Sequence, residues 1–369
     1  MTTDFYTNLT TTSLNGELLD DATCLRILED PDIDLFPLLN AAYTVRKEYW
    51  GKEVQIHILN NAQNGHCPED CSYCSQAKTA DTDIESYRMK PDEEILEEAK
   101  QAYEGGAHRY CMVFAGRGPS EKRTDHLAGL IRKIKSRYTI EIGVSAGLLD
   151  DDKASVLAEA GLDRLNHNLN TSERNYPNIC TTHTYADRLD TLKAARNSGL
   201  QVCSGLIVGM GETRPELLEV AQALRELDTE SIPVNFYLPL PGTNLDPSQE
   251  LTPEYCLRVL CLFRFLNPKA EIRAAAGREV YFRSLEPMCL YPANSIFLQG
   301  YLNAQGGERK QTLQMILDAG FTIKSEQPLE ELVEREEARS NQMVDSQGRL
   351  HVLKTREELR PARGSVADG

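Results

Sequence analysis

From about residue 52 to about residue 297, short β-branched and apolar runs alternate with longer stretches whose apolar positions recur every three or four residues. The first pattern suits strands buried on both faces, and the second suits helices with one buried stripe. It predicts strands over 54–59, 108–114, 140–145, 164–168, 202–208, 232–237, 271–274 and 295–298. Helices are predicted between them over 92–104, 124–137, 151–160, 185–198, 214–227, 253–266 and 310–319. Gly105, Gly161 and Gly199 stand just past three of these helices, where a left-handed cap ends the turn. Eight such βα units predict an α/β chain folded as a (β/α)8 TIM-type barrel rather than an open doubly wound sheet. In a barrel the chemistry gathers on loops at the C-terminal ends of the strands, so motifs there carry most weight.

The flanks have a different texture. Residues 1–45 read as an N-terminal helical extension, with helices over 24–29 and 35–49 placed to cap the barrel floor, and 46–322 as the barrel. Residues 323–369, rich in Glu, Arg, Ser and Gln, read as a solvated helix followed by disorder. The chain has 369 residues, 41% of them hydrophobic, enough for a large core. Its 40 Lys and Arg against 56 Asp and Glu give a net charge of -16, which argues against nucleic acid or an anionic membrane as partner. There is no apolar run of about 20 residues to span a bilayer and no basic, then apolar, start of a secretory signal. A cytoplasmic location is the expectation.

In such a compartment ten cysteines are more than structural disulfides explain. Three crowd into Gly65-His66-Cys67-Pro68-Glu69-Asp70-Cys71-Ser72-Tyr73-Cys74, just after the first strand. Thiolates in C-x3-C-x2-C spacing on one loop hold three corners of an iron–sulfur cube and leave one iron open. A zinc knot completed by His66 is the alternative, although structural zinc usually takes paired C-x2-C units. The scattered cysteines read by default as small buried hydrophobes.

The cysteine loop, with Tyr73 before its third thiol, resembles the radical S-adenosylmethionine (SAM) superfamily. Within it, the stretch from about Arg46 to Phe321 is similar to the biotin synthase family, through Cys67–Gln76, Tyr110–Pro119, LNHNLNTS at 165–172, TTHTYADRLDTL at 181–192, VCSGLIVGMGET at 202–213, SIPVNF at 231–236, IRAAAGREV at 272–280 and ANSIF at 293–297. The resemblance implies a [4Fe-4S] cluster on Cys67, Cys71 and Cys74 whose open iron chelates SAM. One electron then cleaves the sulfonium, and the resulting radicals abstract hydrogens from C9 and C6 of dethiobiotin, which sulfur bridges to give biotin. It assigns Tyr73, Arg188, Gly205, Ile207, Gly209 and Glu212 to SAM, with Arg188 meeting its carboxylate and the small residues admitting its adenosine. It sets Asn168, Asn170 and Asn235 toward dethiobiotin, beside Asn166 and His167. It also implies an electron donor such as flavodoxin or ferredoxin, and a homodimer.

The same resemblance implies an auxiliary [2Fe-2S] cluster, the sulfur source, on Cys111, Cys203 and Arg273. On its own chemistry Arg273 reads as a barrel-interior ion pair, because a guanidinium has no free lone pair. The fourth position, a cysteine in the family, is Gly143 here. Ser145, two residues along the same strand face, and Cys180 are the candidate substitutes. A related radical SAM enzyme that acts on another small substrate without inserting sulfur remains the second reading, and a zinc-binding protein the third.

Overall fold

The computed structural model describes residues 3–246, 251–340, 354 and 356–361. In chain order the helices are α1 Thr3–Leu14, α2 Asp21–Glu29, α3 Leu35–Trp50, α4 Asp92–Glu104, α5 Glu121–Lys135, α6 Asp151–Glu159, α7 Tyr176–Ile179, α8 Tyr185–Asn197, α9 Arg214–Glu226, α10 Pro253–Leu266, α11 Arg278–Phe282, α12 Arg309–Asp318, α13 Leu329–Ser340 and α14 Arg356–Leu359. The strands are β1 Glu53–Gln63, β2 Arg109–Phe114, β3 Glu141–Ser145, β4 Arg164–Asn166, β5 Gln201–Cys203, β6 Leu206–Val208, β7 Ser231–Phe236, β8 Glu271–Ala274, β9 Ser295–Phe297 and β10 Thr322–Ile323. All strand pairs are parallel, from β1 through β9, and β9 returns to β1 with Gln55 opposite Ser295 and His57 opposite Phe297. The expected (β/α)8 barrel is therefore closed, and β10 adds to β1 at its lower end, Glu53 facing Thr322.

The run expected as one strand over 202–208 is two, interrupted at Ser204 and Gly205. The facing strand explains the break. Pro233 of β7 has no N–H to donate to the ladder, and its carbonyl oxygen would lie only 2.0 Å from a Cβ on Gly205. The Gly205 N–H is taken instead by the Asn168 side-chain oxygen at 3.1 Å.

The N-terminal extension is placed differently from expectation. It lies against the side of the barrel, over α9 and α10, and burial of α10 from both sides leaves every residue from Tyr255 to Leu266 inside. Arg258 of α10 donates to the Ile27 carbonyl at 2.9 Å, and Ser13 of α1 donates to that of Phe265 at 2.8 Å. Arg46, at the end of α3, is the part that reaches the floor, donating to the carbonyls of Ala293 at 3.1 Å and Glu53 at 2.8 Å. The helix at 3–14 was not legible, since its polar sequence buries only Leu9 and Ser13.

Beyond β10, the expected solvated helix is solvated on one face only: Leu329, Leu332 and Val333 of α13 are buried. α14 also packs down, with Lys90 donating to the Leu359 carbonyl at 2.5 Å and Arg360 paired with Glu94 of α4. The expected disorder falls on 341–353, 355 and 362–369, which lie outside the described residues. Among the described residues no helix is long and apolar enough to cross a membrane.

Candidate active site

β1 ends in a turn that only glycine fits: Gly65 has φ 74°, and a Cβ there would meet Ser86 Oγ at 2.3 Å. Its N–H donates to Gln76 Oε1 at 3.0 Å, pinning the start of the cysteine loop to its end. Consecutive turns, Cys74 N–H to Cys71 O at 3.0 Å and Ala77 N–H to Cys74 O at 3.1 Å, bring Cys67, Cys71 and Cys74 to one cavity of about 280 Å³ at the C-terminal mouth of the barrel. All three thiols are free, and burial pushes Cys74 up to about 11, a cost that a cationic iron held there would offset. His66, the zinc alternative, points to solvent.

A second loop, singled out in the sequence without this role, clamps the first. Asp70 Oδ1 accepts from the N–H groups of Thr181 at 2.9 Å and Thr182 at 3.2 Å, and Glu69 Oε2 accepts from Thr182 Oγ1 at 2.7 Å. His183 Nδ1 lies 2.5 Å from Glu69 Oε2 while its Nε2 accepts from Arg188 at 2.8 Å, which sets the proton on Nδ1. Cys71 and Cys180 have their sulfurs 3.7 Å apart. With His183 they form a buried group of suitable size for a cation. Cys180 therefore belongs to the mouth, beside Cys71, and the expectation that it replaces a ligand at Gly143 is overturned.

Arg188 is buried, and its guanidinium also donates to the Asn168 carbonyl at 2.8 Å and to the Tyr176 hydroxyl. Tyr73 accepts from Asn170 Nδ2 at 2.6 Å; Asn170 holds φ 70°, tied by its N–H to Gly205 O at 2.9 Å. Glu212 turns away from the cavity to accept the N–H groups of Gly209 at 2.7 Å and Met210 at 2.8 Å. It shapes the turn in which Gly209 adopts φ 99°. Asn235 ties β6 to the loop after β8, donating to Leu206 O at 2.9 Å and accepting from Ala276 N–H at 3.2 Å. Tyr73, Ile207 and Tyr237 give the cavity one apolar wall, backed by Met210, beside the polar ends of Asn166 and Asn168.

Deeper in the barrel, Cys111 and Cys203 face Arg273, whose Nη1 is 3.7 Å from Cys203 Sγ. Gly143 sits opposite Cys111 in the β2–β3 register, and a Cβ there would be 2.9 Å from Cys111 Sγ and 3.3 Å from Asn166 Nδ2. The place is the one expected, without a donor. Ser145 is one pleat higher, opposite Val113, on the cavity wall. Beneath lies a charged floor that the sequence did not announce beyond Arg273. Glu271 Oε1 accepts from Arg273 at 2.5 Å and Ser295 at 2.8 Å, and its Oε2 from Arg109 at 3.0 Å and Arg164 at 2.7 Å. Burial opposes the charge on Glu271, but His57 and the three arginines overcome it and hold its carboxyl well below the usual range. Burial likewise opposes the charge of Arg273, and Glu271 with the two cysteines outweighs it, so the guanidinium is a firmly protonated donor.

The Radical SAM superfamily model matches residues 64–224, and the Biotin and Thiamin Synthesis associated domain matches 233–322. The chain is 56% identical to the biotin synthase of Magnetococcus marinus over 312 residues, covering 85% of this chain and 97% of that protein. It is 52% identical to the biotin synthase of Acaryochloris marina over 316 residues, covering 86% and 91%. In fold it is similar to the crystal structure of methylornithine synthase, with a TM-score of 0.74 at 20% identity, covering 89% of this chain and 99% of that one. A closed barrel with three thiols at its mouth, and identity sustained over almost the whole length of these relatives, make the chain a member of the biotin synthase family of radical SAM enzymes.

Proposed function

We propose that the chain converts dethiobiotin to biotin by radical sulfur insertion, with an electron carrier such as flavodoxin or ferredoxin as donor, as a cytoplasmic homodimer. The observation that carries the reading is one cavity on which the three-thiol loop, the asparagines, Cys203 and Arg273 all open, with Cys111 buried behind them. The donor set suits a four-iron cluster: three cysteines on one turn-rich loop, with space on the inner side for SAM. When bound, that pair supplies a hydrogen-abstracting radical after one-electron cleavage of the sulfonium. The chain's own part is to bind and orient. Cys67, Cys71 and Cys74 hold iron; Arg188, fixed by His183 and Asn168, presents positive charge toward a carboxylate; Tyr73 and Ile207 exclude water beside the adenosine. Asn168 and Asn235, already held by backbone partners, are stiff enough to sort the donors and acceptors of a ureido ring.

The auxiliary site fits its [2Fe-2S] group less completely. Two thiols and Arg273 are present, Gly143 offers nothing, and Arg273 as paired with Glu271 has no lone pair to give. We therefore infer that any cluster here is held more loosely than with four ligands. Gly143→Cys, with a small rotation of Cys111 to admit it, is expected to raise the iron retained after mild chelation toward two further atoms per chain. Equal retention in both proteins would count against a weakened site.

The function is tested by incubating anaerobically prepared protein with SAM, dethiobiotin and reduced flavodoxin, and following biotin by mass spectrometry beside an iron-57 Mössbauer spectrum. Biotin with both four-iron and two-iron signals supports the reading. SAM cleavage without biotin, from protein showing a four-iron signal alone, would favour a radical SAM enzyme that does not insert sulfur.

A further inference from the structure

Cys180 is buried, is absent from the set that holds the clusters, and still has its sulfur 3.7 Å from that of Cys71. Two chemistries suit such a pair: a shared cation, with His183 as a third ligand, or a hydrogen bond between sulfurs. The surroundings choose between them. His183 has both nitrogens engaged, Nδ1 with Glu69 and, at 3.3 Å, with the Cys180 sulfur itself, and Nε2 with Arg188, so ligation would break the tie between the cysteine loop and the arginine. The hydrogen bond needs only that the Cys180 S–H turn from Asp70 toward the Cys71 sulfur. Once Cys71 is a thiolate on iron it has no proton, so the donor must be Cys180.

The other acceptors near Cys180 are well supplied. Asp70 Oδ1, 3.3 Å from Cys180 Sγ, already accepts from two backbone N–H groups and lies 3.1 Å from the Thr182 hydroxyl. Thr182 Oγ1 is at 3.5 Å and itself donates to Glu69. The Cys71 sulfur, carrying negative charge shared with iron, is the acceptor with most to gain.

We propose that Cys180 is a positioning residue that donates an S–H hydrogen bond to the Cys71 ligand and thereby eases reduction of the four-iron cluster. This rests on the assignment of that cluster to the cysteine loop. A donor at a ligand sulfur stabilises the reduced cluster more than the oxidised one, because reduction adds negative charge to the sulfurs. A hydrogen bond to a charged group that is about tenfold stronger in the reduced state corresponds to about 59 mV for one electron.

The test is an anaerobic potentiometric titration of the full chain without SAM, followed by electron paramagnetic resonance, with iron content measured on the same samples. A wild-type spectrum lacking a reduced four-iron signal would dispose of the cluster assignment itself. With that signal present, Cys180→Ala is expected to keep the wild-type iron content and to shift the midpoint downward by about 59 mV, a tenfold effect. Cys180→Ser, which keeps an O–H donor, should recover part of the shift. Unchanged potentials in the alanine variant at full iron content would overturn the proposal. So would a loss of cluster iron in Cys180→Ala that Cys180→Ser also shows, since Cys180 would then act as a ligand and not as a donor.

Discussion

Glutamine in place of Glu271 is expected to cost about 3–5 kcal/mol of stability, enough to unfold a marginal barrel, while changing almost no volume. Glu271 is fully buried and compensates Arg109, Arg164 and Arg273 at once, beside His57 at 2.8 Å. The amide would leave the guanidinium groups of Arg164 and Arg273 without a carboxylate and Arg109 with Glu141 alone, and its NH2 would point donors at donors. The pH dependence follows from the sign of the shift. Because the folded carboxyl lies well below its unfolded value of about 4.3, the stabilisation is present above that value and disappears as pH falls through the folded one. The gap between the two proteins in urea midpoint should thus hold steady from about pH 5 to 8 and narrow in more acid solution. A glutamine variant with an unchanged midpoint at neutral pH would show that the floor is not held by this charge.

Gly205→Ala should come next in size. A Cβ 2.0 Å from Pro233 O and 2.9 Å from its carbonyl carbon meets backbone, which cannot rotate aside. β5 and β6 must then separate from β7, at a cost of about 3 kcal/mol. Relief by displacement moves Asn168 and Asn170, both tied to the backbone of Gly205, and with them Tyr73. SAM affinity is expected to fall at least about tenfold, equivalent to about 1.4 kcal/mol, alongside the lowered urea midpoint. Isothermal titration with SAM separates the two effects, since a variant that binds SAM normally at reduced stability would confine Gly205 to packing.

That glycine also marks the limit of what the sequence disclosed. Its place in G-x-I-x-G-x-x-E suggested a backbone kept bare for a ligand, whereas its bare side faces Pro233. Nothing local reveals which neighbour a glycine admits. Periodicity found α4 and α10 with their observed bounds because a proline, Pro91 before α4 and Pro253 at the first turn of α10, marks each start. It missed α7 and α11, each shorter than two turns. The cysteine loop was legible because its donors are adjacent in the chain. The contact of Glu69 and Asp70 with Cys180 and His183 was not, since it exists only where two loops meet. Arg273 was legible in both of its senses, and the fold shows the ion pair.

β1 has three strand partners, β2, β9 and β10, and two of these come from the far end of the sequence. The seam is of high contact order, so the chain must be made almost entirely before the wall beside the cysteine loop exists. A nascent chain emerging from the ribosome presents Cys67, Cys71 and Cys74 while the strands that will shelter them are still untranslated. Synthesis in air accordingly exposes these thiols to oxidation before the fold protects them, and slow translation of the last third of the message lengthens that interval.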